Sequence, residues 1–279
     1  MTPRRGLFSA PLLAALATPG AVVFAFFFLL PLVFITGDAF VGHGAAFARV
    51  LGSPAFWDGV RGSVLLALST GMLSLGVGFM VALHLSRLGQ SARTALSFVI
   101  ALPLTFSGMI VAYGFILAYG RAGFVTQLLG ALGLEPAALA GFLFSPYGLA
   151  FASSYYLIPR VVMLLLPVLV NFDDRQMAAA ASLGARPWRA LLDILLPQVM
   201  PSAAAAFCLV LAVVFGAYGT ALALVGTQVQ ILPLQLYSLV SDTGADFPAA
   251  AALALLLTAT CSGIMALGEW IAARHDPAH

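Results

Sequence analysis

Long uninterrupted apolar stretches recur along this sequence, separated by short segments that carry most of its charged residues. A run of about 20 apolar residues is the length that an α-helix needs to cross roughly 30 Å of hydrocarbon. Because the runs are continuous and do not alternate, they indicate helices and not the strands of a barrel. We therefore predict six transmembrane helices, over residues 12–36, 62–85, 95–119, 141–170, 199–225 and 248–272.

The first apolar run begins like a secretory signal peptide, with Arg4 and Arg5 ahead of it. It continues through Phe26, Phe27 and Phe28 and beyond Pro31, further than the apolar region of a signal peptide extends. We expect an uncleaved span, and a cleaved signal peptide is the alternative.

Three short amphipathic helices are predicted between the spans, over residues 47–57, 123–134 and 232–240. The first contains a turn signal at Gly52-Ser53-Pro54, and Trp57 is of the residue type that anchors at a membrane interface. These helices either pack at the outer interface or contact the substrate directly, and we favour packing.

Composition supports a membrane protein, because 62% of the 279 residues are hydrophobic and only 8% are charged. A soluble domain carries about a quarter charged residues. The net charge of +2 argues against a nucleic-acid partner. All 12 basic residues are Arg, so the sequence has no Lys for a Walker A phosphate-binding loop or a Schiff base. Any ATP chemistry must then come from another chain.

The arginines are distributed unequally between the two sides of the predicted membrane. One side has Arg4, Arg5, Arg87, Arg93, Arg175, Arg186, Arg189 and Arg274, and the other has Arg49, Arg61 and Arg121. By the positive-inside rule we expect both termini to be cytoplasmic, and an even number of spans independently requires the two termini to lie on the same side.

Arg160 lies deep in the fourth apolar run, after Ser153-Ser154-Tyr155-Tyr156-Leu157-Ile158-Pro159. A charge at the centre of a span costs about 3 kcal/mol on insertion scales, so Arg160 should face protein or water. Ser154, Tyr156 and Arg160 are our candidates for a substrate pathway that meets an anionic group. The alternative, which we favour, is that Arg160 binds a carbonyl group freed by Pro159 or extends towards the inner interface.

Other residue types in the spans suggest packing. Cys208 and Cys261 lie in apolar runs and are expected to be small packing residues, and the histidines lack metal-ligand spacing. Gly71, Gly76 and Gly78 are expected to form one small-residue face for close helix contact. Five prolines are either hinges or tolerated breaks, at Pro103, Pro146, Pro159, Pro167 and Pro201.

The segment between the fourth and fifth spans, residues 171–197, is the most informative part of the sequence. Asp173 and Asp174 favour a helix start, and an alanine-rich helix follows. Gly184 is suited to end that helix with a left-handed residue, and Pro187 to begin a second short helix. Such a helix–glycine–helix elbow can dock in a groove on a partner, with Arg186, Trp188 and Arg189 as anchors.

This elbow resembles the E-A-A-x3-G-x9-I-x-L-P motif of binding-protein-dependent ABC import permeases. Its candidate ATPase-coupling residues are Ala179, Ala180, Leu183, Gly184, Ala185, Arg186, Trp188, Ile194, Leu196 and Pro197. Ala178 occupies the position where the family usually has Glu, and the resemblance leaves Asp173, Asp174 or Arg186 as substitutes for its role in docking.

The resemblance implies an all-α bundle of six spans with the type I ABC importer permease fold. Residues 1–279 would form a single permease domain, with residues 60–270 as its transport core and no cofactor, metal or catalytic residue. The implied partners are an ATPase dimer, a second permease subunit, an extracytoplasmic binding protein and the lipid of a bacterial inner membrane. Residues 101–104, 118–123 and 215–220 resemble the branch that handles polyamines, ferric iron, thiamine and 2-aminoethylphosphonate.

Two other classes of protein fit the sequence less well. An ion-coupled secondary transporter needs acidic residues within its spans, and here Asp and Glu lie at span ends or in loops. An intramembrane enzyme needs a catalytic constellation at membrane depth, and neither a His-Glu-x-x-His nor a Gly-x-Ser-x-Gly motif occurs.

Overall fold

Helices make up the regular structure of this protein. The computed structural model describes residues 10–133, 135–241 and 245–274, and no strand occurs among them. Stretches that are long and apolar enough to cross a membrane are Leu16–Ala39, Pro54–Ser86, Gly108–Ala131, Pro146–Val170, Pro187–Phe215 and Phe247–Arg274. The six-span, all-α prediction is confirmed, although two of its spans have a different internal structure.

The N-terminal span consists of α1 (Ala10–Phe24), a π-helical turn (Ala25–Leu29) and α2 (Leu30–Ala39). With α3 (Ala45–Gly52) and residues 238–256, it belongs to one of two compact parts of the chain. Within this part the Arg49 guanidinium lies 3.1 Å from both carboxylate oxygens of Asp246. Asp246 also accepts the Ala249 N–H at 3.0 Å and so caps the first turn of the last helix, α15 (Phe247–Arg274).

The second part, residues 54–237 and 257–274, is built around α4 (Pro54–Ser86), α9 (Pro146–Val170) and α12 (Leu196–Phe215). Its core is aliphatic. The larger side chains that are at most 1% exposed include Leu149, Leu157, Val161, Val162, Leu165, Val199 and Val210. Since α9 supplies most of them, it is the central helix of this part.

Close contact between these helices depends on two of the three glycines expected to form one face of α4. A methyl group at position 71 would lie 2.8 Å from a ring carbon of Phe207, and one at position 78 would lie 2.8 Å from Val161 Cβ. Gly76 faces open space. The prediction was wrong for Gly76, because residues two apart on a helix lie on different faces.

The helix predicted over residues 95–119 is broken. The chain forms α5 (Gln90–Ala101), a 3₁₀ turn (Leu102–Thr105) and α6 (Gly108–Tyr119), with Phe106 and Ser107 extended. Pro103 lies in the 3₁₀ turn and favours a break there, because it has no N–H for the helical ladder and its ring clashes with the preceding turn. The Ser107 hydroxyl then caps α6 by accepting the Ile110 N–H at 3.4 Å.

The helix predicted over residues 199–225 is also divided. α12 ends at Phe215, and α13 (Tyr218–Val225) begins after Gly216 and Ala217. The Tyr218 N–H donates to the Gly216 carbonyl oxygen at 2.9 Å, and this hydrogen bond closes a tight turn. Apolar residues continue on both sides of this turn, which explains why the sequence pattern does not reveal it.

The short helices between spans agree in part with prediction. α7 (Phe124–Ala131) and α14 (Leu232–Ser241) match their predicted positions, although Leu134 lies outside the described residues. The helix predicted over residues 47–57 is wrong beyond Gly52, because Pro54 starts α4 and Trp57 belongs to that helix. α8 (Pro136–Leu143) precedes α9, whose first turn is capped by Ser145.

Candidate functional site

The elbow predicted between the fourth and fifth spans begins with α10 (Asp174–Ser182). Asp173 is its N-cap, and a carboxylate oxygen of Asp173 accepts the Arg175 N–H at 3.0 Å. The negative charges of Asp173 and Asp174 also lie at the positive end of the helix dipole. An alanine-rich sequence therefore starts a stable helix at this point.

Gly184 ends α10 in the left-handed region, with φ = +81°. The Ala185 N–H donates to the Ala180 carbonyl and the Gly184 N–H to the Ala181 carbonyl, both at 3.0 Å. This pair of bonds is a Schellman motif, which requires positive φ at the glycine position. The bend of the elbow is thus encoded by Gly184 and its two backbone hydrogen bonds.

The second arm of the elbow is α11 (Pro187–Ala190), with Pro187 in its first turn as predicted. It does not end before the membrane span. A π-helical turn (Leu191–Leu195) joins it directly to α12, so one helical rod extends from Pro187 to Phe215. Ala190 and Leu195 are buried and anchor the start of this rod.

The outer surface of the elbow is uncovered and partly apolar. Leu183 is 88% exposed at the tip, and Trp188 is 54% exposed with the Arg189 guanidinium 5.3 Å from its ring centroid. Of the other predicted coupling residues, Ala179, Gly184, Arg186 and Pro197 are exposed, and Ala180, Ala185, Ile194 and Leu196 are half-buried. Ala178 is exposed as well, so the position of the missing Glu lies on the same open surface.

A second feature lies inside the bundle, where the two broken spans meet. The starts of α6 and α13 are adjacent, because a side chain at position 108 would overlap the Thr220 Oγ1 atom. A methyl group at Gly219 would lie 3.6 Å from Met109 Cβ. The Tyr156 hydroxyl lies 3.4 Å from Thr220 Oγ1 and links α9 to the same point. We call this group, Gly108, Tyr156 and residues 217–220, the mid-span junction.

The predicted pathway residues have different environments. Ser154 is buried, and its hydroxyl donates to the Ala150 carbonyl of its own helix at 2.8 Å. Tyr156 belongs to the mid-span junction, and Arg160 follows it by one helical turn. Arg160 is half-buried and has no hydrogen-bond or ion-pair partner among the described residues. The carbonyl partner favoured for Arg160 from the sequence is therefore not found there.

Sequence reasoning missed Gly108 and Thr220. These residues are far apart in the chain, and the fold places them in contact. Pro103 and Gly216 were the available signals, since each precedes one of the half-helices. Residues 10–133, 135–241 and 245–274 contain no cluster of three His, Cys, Asp or Glu side chains that could hold a metal ion. Cys208 and Cys261 are both free thiols.

Known proteins with similar sequences are transport permeases. Residues 74–278 match the family described as binding-protein-dependent transport system inner membrane component. The molybdenum transport system permease protein ModB of Haemophilus influenzae is 29% identical over 216 residues, 76% of this chain and 91% of that protein. The spermidine/putrescine transport system permease protein PotB of Salmonella typhimurium is 26% identical over 266 residues, 89% of each protein.

The thiamine transport system permease protein ThiP of Escherichia coli is 32% identical over 221 residues, which are 76% of this chain but 39% of that longer protein. Among solved structures, a chain of a bacterial alginate ABC transporter, crystallised with an alginate pentasaccharide-bound periplasmic protein, superposes with a TM-score of 0.76. The identity is 19% and the alignment covers 94% of both chains, so this likeness shows the fold.

Proposed function

We propose that this chain, which belongs to the binding-protein-dependent transport system inner membrane components, forms half of the pore of an ATP-driven importer. The chain is a multi-pass inner-membrane protein with the type I ABC importer permease fold. In our proposal a binding protein delivers a small solute, and a separate ATPase subunit powers its passage.

The elbow is the observation that carries this proposal. It presents Leu183 and Trp188 to solvent at the end of two helices, without cover from the described part of the chain. Exposed apolar and aromatic side chains on a rigid bend are typical of a docking surface. Since the sequence has no Lys, it does not contain a Walker A loop, and in our proposal ATP is hydrolysed by a partner.

The continuity of the second arm with α12 suggests how the partner acts on the pore. A displacement of Pro187–Ala190 is passed along one helical rod to Phe215, next to the turn that precedes α13. The start of α13 belongs to the mid-span junction, where Thr220 contacts α9 and α6. Closure of the ATPase would thereby change the packing around the junction and favour one of two states of the pore.

The complete transporter would contain further partners. One elbow per chain implies a second permease subunit, either a copy or a paralogue, because the ATPase subunits act as a pair. The binding protein would dock on the face opposite the elbow, and both termini would be cytoplasmic. Molybdenum, thiamine, polyamine and sulfate permeases are all among the relatives, so the family alone leaves the substrate open.

Crosslinking to the ATPase tests this proposal. Leu183→Cys, in a chain whose Cys208 and Cys261 are replaced by Ala, would be modified with a thiol–amine crosslinker in assembled membranes. Because the chain itself has no Lys, crosslinked lysines belong to another protein. We expect Leu183→Cys to capture the ATPase. Leu132→Cys, 75% exposed in the native chain next to α7, is the control and should not. Capture from Leu132 alone, or from neither site, would contradict the proposal.

A further inference from the structure

We propose that the transported solute carries an oxyanion or phosphonate group, and that the Arg160 guanidinium binds this group beside the mid-span junction. The inference rests on the proposed import function and adds the chemical class of the substrate. Four observations support it: Arg160 lacks a charged partner in the described part of the chain, it lies in the interior of α9, α6 and α9 contain no acidic residue, and a guanidinium group has the donor geometry to bind an oxyanion.

Arg160 is a cation in an apolar helix, without a charged partner among residues 10–133, 135–241 and 245–274. Several other arginines have partners: Arg49 binds Asp246, Arg61 lies 3.8 Å from Asp58, and Arg274 stacks 3.7 Å above Trp270. Arg160 has none in the described part of the chain. An intramembrane charge is costly, and it is usually compensated by a partner or serves a ligand pathway. The missing compensation is what a bound anion would supply.

Arg160 lies in the interior of α9 and not near either end of the helix. At 1.5 Å per residue it lies about 21 Å from the Pro146 end of α9 and about 15 Å from the Val170 end. Ring contacts fix the register of α9 with α6, since the Phe115 ring contacts both Phe151 and Tyr155 at 5.6 and 5.8 Å. Tyr119 contacts Phe151 in turn, which makes the two helices antiparallel. The start of α6 therefore lies at the depth of Arg160.

The surrounding charges favour an anionic ligand over a cationic one. Acidic residues in the described spans are confined to helix ends, at Asp38, Asp58, Asp193 and Glu269. Neither α6 nor α9 contains an acidic residue. A polyamine or a thiamine cation would meet the positive charge of Arg160 without a carboxylate to offset it, and in a low-dielectric pathway that repulsion is strong.

The available donors match a group with two or more charged oxygens. A guanidinium offers a planar fork of N–H donors that binds such a group through two parallel hydrogen bonds. Tyr156 lies one turn away on α9 and carries a hydroxyl that at present contacts Thr220. Tetrahedral oxyanions and phosphonates share this chemistry, and the experiment separates them.

Uptake by the reconstituted transporter tests the inference. The full complex, with its ATPase, second permease and binding protein in proteoliposomes, would be offered molybdate, sulfate, 2-aminoethylphosphonate, spermidine and thiamine separately. We expect ATP-dependent accumulation of an anionic probe. Arg160→Gln should reduce it about tenfold or more, because hydrogen bonds to a charged group are lost. Arg160→Lys should restore part of it, and Arg87→Gln, which removes a charge outside the spans, should leave it unchanged.

Three results would overturn the inference: accumulation of spermidine or thiamine, accumulation of none of the three anions, or anion uptake that Arg160→Gln leaves intact. Size-exclusion profiles of the variants would show that they assemble. ATP hydrolysis stimulated by the binding protein is measured in the same samples. If ATP is hydrolysed and spermidine or thiamine is taken up, the anion assignment is wrong but the proposed import function is retained. If the complex does not hydrolyse ATP, the proposed import function is itself contradicted.

Discussion

Position 184 shows how much of the elbow depends on one residue. Its φ of +81° lies in the region where a Cβ atom clashes with the following carbonyl group. No neighbouring atom lies within 4 Å of the space that a Cβ would occupy, so the constraint is conformational and not a matter of packing. The sequence alone predicts this, because the glycine follows an alanine-rich helix and precedes a proline-initiated one.

Replacing Gly184 by Val should therefore impair coupling without blocking membrane insertion. The left-handed conformation costs a non-glycine residue about 1–2 kcal/mol, and a β-branched one more, which lowers the population of the bent elbow by a factor of roughly 5–30. ATP-dependent uptake in reconstituted vesicles should fall accordingly. Gly184→Asn is the control, because Asn adopts this conformation several-fold more readily, and it should retain most of the uptake. Equal uptake by the wild type and Gly184→Val would argue against the bend.

At the scale of helices, α4 shows a difference between residue type and placement. Gly71, Gly76 and Gly78 are the same residue type, but Gly71 faces α12 and Gly78 faces α9, whereas Gly76 has no neighbouring atom within 4 Å of the position that a Cβ would occupy. Only the packing of the three helices reveals which of them is required. The sequence predicts close approach somewhere along α4, since small residues allow it.

Alanine substitutions at Gly78 and Gly76 should have opposite effects on stability. A methyl group at position 78 would lie 2.7 Å from Val161 Cγ1 and 3.3 Å from the Ile158 carbonyl oxygen, so α9 must shift, at a cost of about 1–3 kcal/mol. Gly76→Ala adds a methyl group in open space and should gain up to about 1 kcal/mol of helix propensity. Thermal unfolding of the purified chain in detergent would show a lower midpoint for Gly78→Ala alone, and equal midpoints would refute this packing.

The two broken spans belong to the same scale. Each break follows a helix-disfavouring residue, Pro103 or Gly216, yet Pro159, Pro167 and Pro201 lie within uninterrupted helices. Proline therefore does not by itself determine where a membrane helix ends. At Pro159, Pro167 and Pro201 the helix continues, because neighbouring groups can satisfy the backbone carbonyls that proline leaves free. At Pro103 the chain forms a turn instead.

For the whole molecule, the distribution of arginines predicts an orientation with both termini and the elbow in the cytoplasm. Green fluorescent protein fused after residue 279 should be fluorescent in intact cells, because it matures on the cytoplasmic side. Alkaline phosphatase fused after residue 132 should be active, because it folds only outside. The reverse pattern would place the elbow outside the cell and would remove the surface for an ATPase.

Local sequence patterns are enough to predict the class of protein, the number of spans and the local chemistry of the elbow. These follow from properties that act over one helix or one turn: apolar length, N-cap preference and tolerance of positive φ. Tertiary structure decided which prolines and glycines interrupt a helix and which glycines lie against a neighbour. It also decided that Gly108, Tyr156 and Thr220 meet. Those outcomes depend on contacts between residues far apart in the chain, and a local pattern carries no information about them.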